Sequence, residues 1–89
     1  MKLWIDATRP PPGSDWHWAR DEVEALIALA WNPVREISFD AELGGGGMAV
    51  PVAARLSQLS KAGRPLPAWR IHAGQGRERQ RIETLLGAA

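Results

Sequence analysis

The sequence predicts an α/β fold: a small three-layer domain of about four mainly parallel strands with three helices on the faces of the sheet. Two observations carry this expectation. Short apolar strand-like runs and helix-period segments follow one another along most of the chain, the pattern of βαβ crossovers. With 89 residues the chain is long enough for one domain, residues 1–89, and no linker or internal repeat divides it.

The first strand is Lys2 to Asp6, apolar at Leu3, Trp4 and Ile5. The following TRPPPGSD cannot be helical, because consecutive prolines favour extended backbone and Gly13 favours a turn. Trp16 and Trp18 flank His17 as the alternating residues of a second strand. DEVEALIALAW is a helix with Asp21 and Glu22 in its first turn and Asn32-Pro33 as its stop. Its wide apolar face predicts deep burial.

Arg35 to Asp40 is the third strand. A second helix runs from about Val50 to Ala62, with Pro51 in its first turn, Val52, Leu56 and Leu59 on one face, and Gly63 as its C-cap. Ala68 to His72 is the fourth strand and Arg77 to Leu86 the third helix, with Ile82, Leu85 and Leu86 inward. Trp4, Trp31 and Trp69 are expected to be packing residues, and His17 a structural one.

Composition narrows the function. Hydrophobic residues make up 45% of the chain, a globular value, and a core this size buries about 60–65% of the unfolded surface. There is no cysteine, so neither a disulfide nor a thiolate metal site can form. No run suits a signal peptide or a membrane span, and the expected location is the cytoplasm. Residues 1–60 carry five basic and eight acidic side chains and residues 61–89 six and two, giving −3 and +4. The two halves can pair with each other, or the basic one can meet an anion. The excess is small beside the extended basic face of a protein that tracks a nucleic-acid backbone, so a nucleic-acid binder is the weaker, third reading.

Open parallel sheets bind ligands beyond the carboxyl ends of their strands. Three of the four expected strands end in a chemically competent residue: Asp6, Asp40 with Glu42 just beyond, and His72. Asp6, Asp40 and Glu42 are hard oxygen donors of the kind Mg²⁺ or Mn²⁺ prefers, and residues i and i+2 of extended chain share a face. His72 is a candidate general acid or base, with Asp40 beside it as the second candidate catalytic residue. HAGQGRER, residues 72–79, places Gly74 and Gly76 between a strand end and a helix start, where backbone amides meet anions. Arg77 and Arg79 stand in that helix's first turn, where the dipole disfavours cations unless an anion binds; Arg79 also has Glu83 within pairing reach. Arg9 is a second candidate phosphate ligand. Each residue also has a plain structural reading, as a surface acid, a capping histidine or a solvated loop charge.

MKLWIDATRPPP, WHWARDEVEALIAL, ISFDAELG and RIHAGQGRERQRIE follow one another as segments do in the cyclic-phosphate processing receiver-like domains. The sequence resembles that family, a small variant of the receiver (flavodoxin-like) fold, over nearly its whole length. The resemblance implies metal-assisted phosphoesterase chemistry on a cyclic or terminal phosphate of a nucleotide or RNA end. It implies roles for Asp6, Arg9, Asp40, Glu42, Gly44 and His72. The sequence departs from the family pattern at Ala7, which replaces a second acid, at Ala41, which replaces a histidine, and at Ala73, which replaces a serine. Gly74 and Gln75 stand where alanine and asparagine are usual, and GGGGMAVPV replaces a Thr-Gly-Tyr-Asp stretch. A fifth-strand lysine has no counterpart, so aspartyl-phosphate signalling is not expected. The alternative is a catalytically degenerate module that binds a phosphorylated ligand or a protein partner.

Overall fold

The computed structural model describes residues 1–42 and 49–87. Its elements are β1 (Lys2–Ile5), β2 (Trp16–Ala19), α1 (Glu22–Trp31), β3 (Glu36–Asp40), α2 (Ala49–Lys61), β4 (Ala68–Ala73) and α3 (Gly76–Gly87). The four strands form one sheet in the order β2-β1-β3-β4, and every pair is parallel. This is the expected α/β class, with element ends shifted by one residue.

All three helices contribute to one core on one face of the sheet. Leu3 and Ile5, Ile37 and Phe39 point to one face and are fully buried with residues of all three helices: Ala25, Ala28 and Leu29; Val52, Ala53 and Leu56; Ile82 and Leu86. The opposite face carries Lys2, Trp4, Trp16, Trp18, Glu36, Ser38, Arg70 and His72, and among the described residues no helix covers it. Strand order explains this. The steps β2 to β3 and β3 to β4 move the same way across the sheet, so right-handed crossovers put α1 and α2 on the same side. The step β1 to β2 runs the other way, and its connection belongs to the other face.

That connection is residues 6–15, ten residues that must return from the end of β1 to the start of β2. A helix rises only about 1.5 Å per residue and would leave nothing for its turns, whereas proline-rich chain gains about 3.1 Å per residue. The segment crosses the face bearing Trp4, whose indole Nε1 donates to the Arg9 carbonyl at 2.9 Å. A strap of extended chain thus replaces a helix on this side.

Capping fixes the helix ends. Asp21 is the N-cap of α1: its Oδ1 accepts from the Glu24 amide at 2.8 Å, and Glu24 Oε1 reaches back to the Arg20 amide at 3.1 Å. Asn32 closes the other end on the Ala28 carbonyl through both its amide, 3.1 Å, and its side chain, 3.0 Å. Gly63, with φ of 95°, ends α2 as its position predicts.

The expected deep burial of α1 is not found. Val23, Ile27 and Trp31, spaced four apart, are 63%, 55% and 82% exposed. The helix packs through Ala25, Ala28 and Leu29, so its apolar surface is wider than the face it buries. Of the tryptophans expected to pack, Trp4 is buried on the face away from the helices, Trp69 packs half-buried against the core, and Trp31 lies in solvent. His17 is exposed. Among the described residues no helix is long and apolar enough to cross a membrane.

Candidate functional site

The chain leaves β1 towards one edge and later enters β3 on the other side, so the carboxyl ends of β1 and β3 flank the point where strand order reverses. Asp6 and Asp40 stand there. Asp6 follows β1 directly. Its amide donates to the Ala19 carbonyl at 3.1 Å, and its own carbonyl accepts from Trp18 Nε1 at 2.7 Å.

The Asp6 carboxylate organises the turn that ends the strand. Oδ1 accepts from the amides of Thr8 at 2.9 Å and Arg9 at 2.8 Å, an Asx-type arrangement. Oδ2 meets His72 Nε2 at 2.9 Å and Arg9 Nη1 at 3.4 Å. The side chain is fully buried. Burial alone would raise its pKa, but the amides of Arg9 and Thr8, then His72 and the Arg9 guanidinium, outweigh it and lower the value to about 2. Asp6 is therefore an anion held inside the fold.

An ionised Asp6 can only accept, so His72 Nε2 carries the proton and donates it. The other ring nitrogen, Nδ1, lies 2.7 Å from Ser38 Oγ, so the Ser38 hydroxyl donates to it while the ring is neutral. Arg70 Nε donates to the same oxygen at 3.4 Å. Trp4 stacks on the imidazole. Arg70, Ser38, His72 and Asp6 thus form one chain of polar contacts across the sheet. Among the described residues no buried side-chain nitrogen or oxygen lacks a partner.

Asp40 ends β3 with its side chain 13% exposed. Its Oδ1 accepts from the Glu42 amide at 3.1 Å, and its Oδ2 lies 3.7 Å from Arg9 Nη1. Glu42 is exposed in the turn beyond. The structure therefore joins Asp6, Arg9, Asp40 and His72 and leaves Glu42 at the surface. Gly44 lies outside the described residues.

The residues present do not fit a divalent ion held by Asp6, Asp40 and Glu42. All four acceptor directions of the Asp6 carboxylate are taken by N–H donors. The space between Asp6 and Asp40 holds a guanidinium nitrogen. Among the described residues no group of three or more His, Asp or Glu side chains is gathered as a metal site.

The glycines after β4 have different local reasons. Gly74 has φ of 94°, and a Cβ there would stand 2.8 Å from the Ala41 Cβ and 3.0 Å from its amide nitrogen. The Ala41 amide also bonds the Ala73 carbonyl at 2.9 Å. Three departures from the expected pattern, Ala41, Ala73 and Gly74, are thus one packed unit. Gly76, with φ of 79°, opens α3 and has open space around it. Arg77 is exposed. Arg79 turns away, with Nη1 on the Gly74 carbonyl at 3.3 Å and Nε 3.6 Å from Glu83.

Ser38, Trp4, Thr8 and Trp18 are participants that the sequence reading missed. A signal existed for two of them. Trp4 lies two residues before Asp6 and Ser38 two before Asp40, so each shares a sheet face with a candidate acid. An apolar cleft of about 290 Å³, lined by Leu29, Pro33, Val34, Leu56 and Pro67 among others, opens at the opposite, amino-terminal edge of the sheet.

A family model described as the cyclic-phosphate processing receiver domain matches residues 1–88. Comparisons with curated proteins and with solved structures find no match. The match spans the whole sheet, the three helices and the edge where Asp6, Asp40 and His72 meet, and the chain belongs to the cyclic-phosphate processing receiver domain family.

Proposed function

We propose that this domain binds a phosphate ester, at a nucleotide or an RNA end, at the carboxyl edge of its sheet. The observation that carries the reading is Arg9. Its amide is tied to Asp6, its carbonyl to Trp4, and its side chain is still 61% exposed. A planar cation with a fixed base and outward donors suits a phosphate oxygen. Gly74, Gly76 and Arg77, which follow β4 at the same edge, are the further candidates for contact.

Hydrolysis of a cyclic phosphate is the second reading. It is supported by the His72–Asp6 pair, because a buried carboxylate 2.9 Å from Nε2 orients the ring for proton transfer. In that reading His72 moves the proton and Asp40 stands beside the reacting phosphate. Binding without turnover is favoured because both ring nitrogens already face partners. Positions 7, 41 and 73 also contribute only methyl groups.

The test uses the isolated chain and 2′,3′-cyclic nucleotides. Saturable amide shifts at residues 6–9, 40–42 and 72–77, with an unchanged phosphorus spectrum after prolonged incubation, are the expected result. Ring opening lost in His72→Ala would establish the hydrolytic reading instead. Silence toward nucleotides and inorganic phosphate would leave a protein partner as the remaining role.

A further inference from the structure

We infer that Arg9 is the resident cation of this centre, and that its side chain and a divalent ion exclude each other there. Three observations lead to this. Arg9 Nη1 is shared between two carboxylates, 3.4 Å from Asp6 Oδ2 and 3.7 Å from Asp40 Oδ2. These are the acids between which an ion would sit. The backbone of Arg9 is fixed on both sides, which anchors the base of the side chain beside the two acids. Its amide bonds Asp6 Oδ1, its carbonyl accepts from Trp4 Nε1, and Pro10 follows. Finally, position 7 is alanine, so the turn offers no second carboxylate to outbid the arginine.

Charge and geometry point the same way. Two carboxylates without a cation repel each other across this gap, and a guanidinium relieves the repulsion without octahedral geometry or shed water, both of which Mg²⁺ demands. The ion would also have to displace an N–H donor from the buried Asp6 to gain a lone pair. The Arg9 contacts are longer than ideal hydrogen bonds and half open to solvent, so the guanidinium can also turn outward to a bound anion. The inference stands whether or not the site hydrolyses anything.

The experiment titrates Mn²⁺ and Mg²⁺ into ¹⁵N-labelled wild type, Arg9→Ala and Arg9→Gln, with Gln keeping part of the packing should Ala perturb the fold. Wild type should show no saturable Mn²⁺ broadening centred on the amides of residues 6–9 and 40–42. Either variant should gain it, with an affinity at least about tenfold above wild type, the scale of one removed positive charge at this distance. The inference is overturned if wild type binds the ion there as tightly as the variants, and equally if neither well-folded variant gains binding. Both readouts are metal binding alone, so they are independent of any phosphate ester.

Discussion

The indole of Trp4 lies flat on the imidazole of His72, with ring centroids 3.7 Å apart and planes 7° from parallel. This pins the one histidine of the site between a tryptophan, a buried serine and a buried aspartate. Replacing His72 by alanine removes the stack and leaves Asp6 Oδ2 and Ser38 without their ring partner. The expected loss is about 2–4 kcal/mol of unfolding free energy in urea. A loss below about 1 kcal/mol would show that the ring's contacts contribute little to the fold.

Asp6 makes the domain sensitive to acid. Its folded pKa of about 2 lies below the ordinary 3.8, so the fold favours the ionised form. The stabilisation is complete above the ordinary value and drains away as the pH falls from about 4 to about 2. It amounts to about 2 kcal/mol. In Asp6→Asn that component is absent. The stability gap between wild type and variant, measured by denaturant titration at each pH, should narrow by that amount between pH 5 and pH 2. A gap that stays constant would mean that the carboxylate is not held as an anion.

The two positive-φ glycines beyond β4 should respond differently to alanine. At Gly74 a methyl group meets Ala41 Cβ at 2.8 Å and backbone at 3.0 and 3.1 Å, so strain and overlap add. At Gly76 nothing lies within 4 Å, and only the backbone conformation objects. Gly74→Ala is expected to cost about 2–4 kcal/mol and Gly76→Ala about 1 kcal/mol. Thermal melts of the two variants side by side decide it, and equal losses would contradict the packing of Ala41 against Gly74.

Ile27 and Leu29 sit two residues apart on α1 and should behave oppositely. Ile27 is 55% exposed, so Ile27→Lys should change stability by no more than about 0.5 kcal/mol. Leu29 is 8% exposed within the core, and Leu29→Ala should cost about 2–4 kcal/mol. A large loss at Ile27 in a monomeric preparation would mean that its surface is covered.

The elements were legible in the sequence because their signals are local. Apolar runs such as Leu3–Trp4–Ile5, the Asp21 cap and the Gly63 stop each act over a few residues. Layering was not legible, because it depends on strand order. The same helices could lie on one face or two until β2 is placed outside β1. The burial of α1 was misjudged for a related reason: apolar character marks which residues can be buried, and only the neighbours decide which are. At the site, the convergence of Asp6, Asp40 and His72 followed from the strand ends. The position of the Arg9 guanidinium between two carboxylates did not, since it depends on a turn built by Asp6 itself. Ser38 was hidden because one serine in an apolar strand carries no motif.

The ladder between β3 and β4 slips once: Phe39 faces Ile71, but Asp40 faces Ala73, so β4 holds one residue more than its neighbour needs. That surplus residue falls where His72 stands. Removing one residue here would give a more regular sheet and dismantle the site, because His72 would leave Asp6, or Gly74 would leave Ala41. At this edge the spacing of the chain is held as firmly as the identity of its side chains. Substitutions can be absorbed singly, whereas a change of length by one residue re-addresses every contact beyond it.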